Sequence, residues 1–586
     1  MNRQRVLTGV LFAILAFLVW FSSYLAATRI YQVDECQNIY MARVFATGQS
    51  GQFFTTGSLF LLGPLSWLTR GATVSADLLA SARLLFLGVF WLNLILLAAV
   101  ASGRLVSARG IIALAAAATL APLWDYGFEI RHDNLILTGV LLSWWALRVR
   151  PMGVRSYVLL GALAVALMFV AVKSVVYVLP LACAALAFRP AAHRAAWWRL
   201  ALAWGAGAVG ALGLIRLAYG SGGLWDLYFS AFHHVVKVSA GGGAGSARSW
   251  PWSTLARLLT QTPLLLALAA AACAAFAIEL RRRGRAVLTW DGLLPEVLLA
   301  AGALAALMAN PTPFPYNLLH VVPFIFVLVF RYTAGLWDAF GGASSAHWSR
   351  LWPISGGVLL FAHVLPFGMV TQRHLEFLNF RQESLMRLAE QVTDPAKDRV
   401  YDGIGMVPTR SSIDFQWYLH SLNIDSFTKG PGPRVHDMLA ARPAAVFIPN
   451  YRTDWLTDED QAFIRERYVA LSDDFWVLGK MLPAGGGTFE VIHPGRYRIA
   501  SQDGSDLIGT YPESWRGLLV KPEEGSLTGK LDGKPLPSRP VELAVGTHRI
   551  ETSTDCQPAI FWVGPRLDRL PRMGRGDHQW LFVNWY

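Results

Sequence analysis

Apolar runs separated by short polar breaks fill the chain as far as residue 371 and then stop. Eleven of them, at 6–28, 78–101, 110–125, 134–149, 157–172, 174–188, 200–218, 262–280, 292–309, 318–333 and 351–371, read as membrane-spanning helices. Several are shorter than the roughly 20 residues a perpendicular helix needs, so their ends are soft. The first is apolar for 23 residues after the basic start MNRQR. A cleavable signal would have a shorter apolar core and a small-residue cleavage site, so this run reads as a retained helix.

The stretch 157–188 has two readings. As one helix its 32 residues would run about 48 Å at about 1.5 Å per residue, longer than a hydrocarbon core of about 30 Å. Basic residues flank it on both sides, Arg155 before and Arg189 after. Two short helices meeting at Lys173–Ser174 satisfy both facts. One strongly tilted helix is the alternative and inverts everything downstream.

The basic residues support the first count. With Arg3 and Arg5 held in the cytoplasm, alternating spans place Arg104/Arg109, Arg148/Arg150/Arg155, Arg189/Arg194/Arg199, Arg281/Arg282/Arg283/Arg285 and Arg331/Arg350 on the inner side, as the positive-inside rule requires. The outer side then receives 29–77, 126–133, 219–261, 310–317 and the whole tail from 372. The net charge of +12 is explained by these loops, so nucleic acid is not expected as a partner. Charged residues are 15% of the chain against about 25% in soluble proteins, and mean hydropathy is +0.39, which excludes an ordinary soluble globule.

Two mixed segments follow the first span. YQVDECQNIYMARVFATG and SLFLLGPLSWLTR are too short or too polar to span and read as amphipathic helices on the outer membrane surface, at about 35–70. Beyond 372 the pattern is that of a soluble region. Residues 372–481 alternate helix and strand: DRVYDGIG gives a strand and turn, VHDMLAARPAAVFIPNY a helix and buried strand, EDQAFIRERYVAL a helix. Residues 482–586 change to short strands with Gly, Pro and Asp turns, a β-sandwich-like pattern with a hairpin at Asp532–Gly533.

Of the four cysteines, Cys183 and Cys273 lie in apolar runs and read as small core residues, while Cys36 and Cys556 share the outer side without forming a disulfide framework.

Candidate chemistry concentrates in the outer loops. Asp34–Glu35 directly follow the first span, where a carboxylate can serve either as a general base or as a plain helix cap. Glu129, Arg131, His132 and Asp133 crowd the next outer loop. Arg131 offers a planar fork for phosphate, with an ion pair inside the loop as the plain alternative. Lys173 sits between two short spans, where it can hold an anionic headgroup or snorkel to the interface. The loop 219–261 carries His233, His234, Lys237 and Arg248 among aromatics, which suit an interfacial belt or a sugar-stacking surface equally. NPTPFPYNLLH presents Tyr316 and His320 at the head of a span, lining a cavity or forming a rigid turn. No Walker loop, HExxH or GxSxG is present. No cofactor is expected, and a divalent metal is left open.

Asp34–Glu35 after the first span, Gly63–Pro64–Leu65 in the following surface helix, Arg131–x–Asp133 after the third span and Lys173 between short spans together resemble the GT-C superfamily of integral membrane glycosyltransferases. The likeness is greatest to the protein O-mannosyltransferase and lipid A aminoarabinose transferase group. It covers 1–371 and extends only loosely to the tail. The resemblance implies a polytopic α-helical catalytic domain and an inverting transfer from a polyprenyl-phosphate sugar. The acceptor would be a lipid, glycan or protein at the periplasmic face of a bacterial inner membrane. By the same resemblance Asp34 is the general base, Glu35 orients the base or acceptor, and Arg131 and Lys173 hold the donor phosphate. The chain departs from the group in having His132 where proline is common, Ser174 rather than glycine after Lys173, and a β-rich module in the tail. A transporter or flippase of similar topology, or a non-catalytic envelope assembly subunit, are the other classes the pattern allows.

Overall fold

The computed structural model describes residues 3–47, 59–149, 153–175, 177–178, 181–182, 197–220, 225, 251–288, 292–309, 314–340, 348–414, 416–420, 424–430, 432–502, 527–552, 557–566 and 581–583. Arg248, with His233, His234, Lys237, Cys183 and Cys556, lies outside the described residues.

The helical part runs α1 (Arg3–Thr28), α2 (Val33–Thr47), α3 (Leu59–Thr69), α4 (Ser75–Ser102), α5 (Ala108–Ala117), α6 (Ala121–Tyr126), α7 (His132–Val149) and α8 (Val154–Val170). It continues with α9 (Trp197–Tyr219), α10 (Trp252–Gln261), α11 (Pro263–Arg283), α12 (Leu294–Ala309), α13 (Val322–Phe340), α14 (Trp348–Glu376) and α15 (Phe380–Val392). Among the described residues, five stretches are long and apolar enough to cross a membrane: Gly9–Thr28, Ser75–Ser102, Trp197–Ala218, Pro263–Val287 and Pro315–Leu336. Their outward faces are apolar too. Phe12, Phe17, Trp20, Leu202, Val209, Leu214 and Leu217 are each more than half exposed, which an aqueous surface does not tolerate over so large an area. The chain is a membrane protein of helical type with a sheet-rich tail.

The expected span 110–125 is broken into α5 and α6. Pro122 sits in the first turn of α6, where its missing N–H costs nothing, and Leu120, the residue before the helix, is extended. The stretch 157–188 also breaks where the flanking charges required. α8 ends at an extended Ala171, and a 3₁₀ turn, Val172–Ser174, carries Lys173. α8 and α9 then run side by side in the same direction. A Cβ on Gly161 would strike the Trp204 carbonyl, one on Gly207 would strike that of Val158, and Phe169 packs with Ile215 further along both. The chain therefore leaves α8 at the end where Lys173 sits and enters α9 at the other.

Two of the counted basic residues meet at that other end, where Arg148 and Arg331 both reach the buried Glu296, at 2.8 and 3.2 Å. Cys273 is not a core residue as its apolar surroundings suggested: it lies on the exposed side of α11.

In the tail, one sheet has the order β1-β2-β4-β11-β6-β9, with β3 also on β4. These are β1 (Val400–Tyr401), β2 (Val446–Phe447), β3 (Tyr468–Ser472), β4 (Phe475–Met481), β6 (Gly495–Gln502), β9 (Val541–Leu543) and β11 (Gln557–Trp562). A second sheet is β5 (Gly486–Val491), β10 (Gly546–Thr552), β7 (Gly529–Leu531) and β8 (Lys534–Pro535). Strands from either side of residue 482 share the first sheet, because β11 pairs with both β4 and β6. The alternating patterns on the two sides describe one core. β7 and β8 form the expected hairpin at Asp532–Gly533, both residues at positive φ, as a two-residue I′ turn demands.

The segment expected on the membrane surface, α2, is instead buried nearly all round. Cys36, Ile39, Tyr40, Met41 and Val44 join the tail's own core. The Tyr40 and Trp417 rings lie 4.4 Å apart, and the Tyr40 hydroxyl accepts the Ser412 N–H at 2.8 Å. Gly405 permits this approach: its φ is +80°, and a Cβ there would sit 2.7 Å from that of Tyr40. The tail is seated on the end of the bundle that carries Asp34.

Candidate active site

Four chain ends meet under the tail: the exit from α1, the start of α4, the α6–α7 loop and the exit from α8. Arg29–Gln32 run extended between α1 and α2, and this exit from α1 is tied to the link between α14 and α15 by Ile30 N–H to Phe377 O at 3.0 Å and Asn379 N–H to Thr28 O at 2.8 Å. α2 then opens with Asp34 and Glu35 in its first turn, where the helix dipole favours acid.

The two acids part at once. Glu35 is fully buried and accepts the Gln32 N–H at 2.9 Å, reaching back over the first turn as a cap does. Its carboxylate is gripped by Arg83, with Nε at 2.8 Å and Nη2 at 2.5 Å, and also accepts the Ile130 N–H at 3.3 Å. Arg83 in turn donates to the carbonyls of Arg29 and Ile30 and lies 4.3 Å over the Tyr31 ring. Beside this pair, Arg29 bridges to Glu129 at 2.8 Å, both side chains no more than 1% exposed. The four charges pin the two loops that carry Asp34 and Arg131.

Asp34 lies at the solvent-accessible edge of the cluster, its opening, with Lys173. Its side chain is 24% exposed, is ion-paired to Arg131, and receives the Tyr418 hydroxyl at 3.4 Å. Burial alone would raise its pKa, but Arg131, Arg452 and His420 hold it below the usual carboxylate value. Arg131 is buried and also donates through Nε to Asp133 at 3.2 Å. Asp133 is fully buried and paired with Lys173, whose side chain is 28% exposed. The Tyr316 ring stacks under both cations, 3.9 Å from Arg131 and 4.9 Å from Lys173. His320 bonds the Asp133 carbonyl at 3.1 Å, and its ring lies 4.7 Å from Tyr177. The partly exposed His132 has Nε2 3.8 Å from Asp133.

The structure thus brings Asp34, Arg131, His132, Asp133, Lys173, Tyr316 and His320 together. It sets Glu35 and Glu129 one layer deeper, in the buried ion cluster. A divalent metal does not suit these residues, because Asp133 is taken by Arg131 and Lys173 and Asp34 by Arg131. Among the described residues no group of three or more potential metal ligands forms.

Several members of the site were not read from the sequence. Arg83 carried a usable signal, being a charge inside an apolar run. Tyr418, His420 and Arg452 carried none. They lie over 380 positions from Asp34 in the chain and reach it only because the tail folds back. Burial and the neighbouring Arg452 lower the His420 pKa to about 4, so its ring is neutral at pH 7.

The fold and site define a helical membrane protein with a cluster of carboxylates and cations at one end of its bundle. No family model matches the chain, and no curated protein matches it. Solved structures of the oligosaccharyltransferase of Archaeoglobus fulgidus do. Its apo form is similar at 10% identity over 82% of this chain and 74% of that one, with a TM-score of 0.47. The form tethered to an acceptor peptide matches at 11% identity, 82% and 73% coverage, and a TM-score of 0.46. The complex with zinc and sulfate gives 10%, 82%, 72% and 0.45.

Proposed function

We propose that the chain is a GT-C-type glycosyltransferase, moving a sugar from a polyprenyl-phosphate donor to a lipid, glycan or protein acceptor. The reaction takes place at the face where the tail sits, the periplasmic face of a bacterial inner membrane. One observation carries the reading: a partly exposed carboxylate, Asp34, and a partly exposed ammonium, Lys173, flank the buried Arg131.

In this reading the acceptor hydroxyl or amine approaches Asp34 and attacks the anomeric carbon. The sugar–phosphate bond breaks with its electron pair leaving on the polyprenyl phosphate, and the acceptor proton passes to the Asp34 carboxylate. Because its pKa is depressed, Asp34 is ionised at neutral pH and takes the proton late, as the acceptor acquires positive charge. Lys173 and Arg131, held by Asp133, stabilise the negative charge growing on the phosphate. Tyr418 orients the Asp34 oxygen. Glu35 acts through the Arg83 pair, fixing Asp34 and Arg131 rather than touching substrate.

Transfer of a lipid-linked sugar into membrane acceptors, followed by mass spectrometry in Asp34→Asn membranes, tests this. Loss of transfer in a folded, inserted protein is expected. Full transfer would remove Asp34 as base. A reporter fused after residue 372 should be exported; a cytoplasmic reporter would reverse the sidedness.

A further inference from the structure

Among the charges around the opening, two carboxylates, Asp34 and Asp133, balance two cations, Arg131 and Lys173. Arg452 adds one positive charge to that balance. It comes from the tail and is only 6% exposed. Arg29, Arg83 and Arg131 are as deeply buried, and each meets a carboxylate. Arg452 meets none among the described residues. Its Nη1 donates to the Leu419 carbonyl at 2.6 Å and its Nε to the Tyr451 hydroxyl at 3.0 Å, both neutral groups. Its Nη2 has no hydrogen bond among the described residues.

Three aromatic rings surround the guanidinium, Trp455 at 4.7 Å, Tyr451 at 5.4 Å and Tyr418 at 5.7 Å. The Tyr418 hydroxyl is the one that reaches Asp34. Asp34 acts on this guanidinium only at a distance, and a buried guanidinium with no carboxylate in contact is costly; aromatic faces recover only part of the lost hydration. A fork held rigid by two neutral acceptors, with its third nitrogen unbonded, is ready for a planar or phosphate anion.

We propose that Arg452 is an anion clamp, through which the tail presents a phosphate or carboxylate group of the substrate over Asp34. This rests on the transferase reading for what the substrate is. The anion has two sources, the phosphate of the lipid-linked donor or an acidic group on a saccharide acceptor. Trp455 and Tyr451, both half-buried, then flank the sugar next to that group.

Ligand-induced thermal shifts of the full-length, detergent-purified protein separate these. The probes are farnesyl phosphate, a short isoprenoid monophosphate, and glucuronate, an acidic sugar without lipid. Each variant is compared with its own unliganded state. Arg452→Gln should weaken one probe at least tenfold. A loss confined to farnesyl phosphate assigns the clamp to the donor, and a loss confined to glucuronate assigns it to the acceptor. Arg452→Lys should recover part of the affinity, since lysine restores the charge but not the fork. Unchanged affinity for both probes in Arg452→Gln overturns the clamp. If Lys173→Gln still weakens farnesyl phosphate in the same series, the transferase reading outlives that failure. Absence of binding of either probe to the wild type overturns the clamp as well. Should Arg452→Gln not fold, Arg452→Lys decides, and wild-type affinity for both probes then refutes it.

Discussion

Asp34 and Glu35 are neighbours in the chain with the same functional group, yet they belong to two different electrostatic layers. The Glu35 layer is closed: Glu35, Arg83, Arg29 and Glu129 are sealed from solvent and bond one another and the backbone of the loops around them. The Asp34 layer is open: Asp34 and Lys173 keep about a quarter of their side chains exposed, and Arg452 stands beside them without an ion pair among the described residues. Successive residues on a helix point roughly 100° apart, so one turn of α2 sends one acid inward and the other to the mouth. In the proposed reaction the closed layer would supply rigidity and the open one reactive capacity.

The sharpest test of that division is a pair of isosteric changes. Asp34→Asn should lower transfer by about 10²–10⁴-fold, the usual worth of a general base, with thermal unfolding in detergent little altered because Arg131 keeps Asp133. Glu35→Gln should do the reverse. It leaves Arg83 buried without its partner, a loss of about 3–5 kcal/mol read as a large fall in unfolding temperature or as failure to fold. A stable, inactive Glu35→Gln would break the comparison and place Glu35 in the open layer.

The seam between tail and bundle gives a smaller effect. Gly405→Ala combines a positive φ with a contact against Tyr40 and should cost about 1–3 kcal/mol, measurable as earlier proteolysis of the tail. Smaller still are two pH effects. Asp34, with its depressed pKa, adds stability that is present above the unfolded value of about 3.9 and is lost as pH falls through the lower folded value. In the proposed reaction its ionisation would therefore limit activity only below the usual carboxylate range. Removing the nearby cation in Arg452→Gln should move the acid limb of the pH–rate profile upward. For His420 the folded pKa of about 4 lies below the unfolded value of about 6.5, so the stability it contributes is complete above that value and declines as pH falls toward 4. His420→Gln should flatten the decline in unfolding temperature between those pH values.

Much of the helical half was legible because its physics is local. Charge flanking predicted the break at Lys173–Ser174, and the turn residues predicted the hairpin at Asp532–Gly533. The same local logic failed where partners are distant. The amphipathic spacing of α2 was read as a membrane-surface face, but the tail covers it. The shift to short strands after residue 482 marked a change of pattern, while β11 pairs across that point with β4.

The sequence by itself determined that this is a membrane protein, which of its ends is basic, and that Asp34, Arg131, Asp133 and Lys173 belong to one face, because apolar length and charge placement act within single segments. Only the tertiary structure decided which acid is open and which is sealed, and that Tyr418 and Arg452 complete the opening. Those outcomes depend on how segments hundreds of residues apart pack, and no spacing along the chain encodes the distance between them.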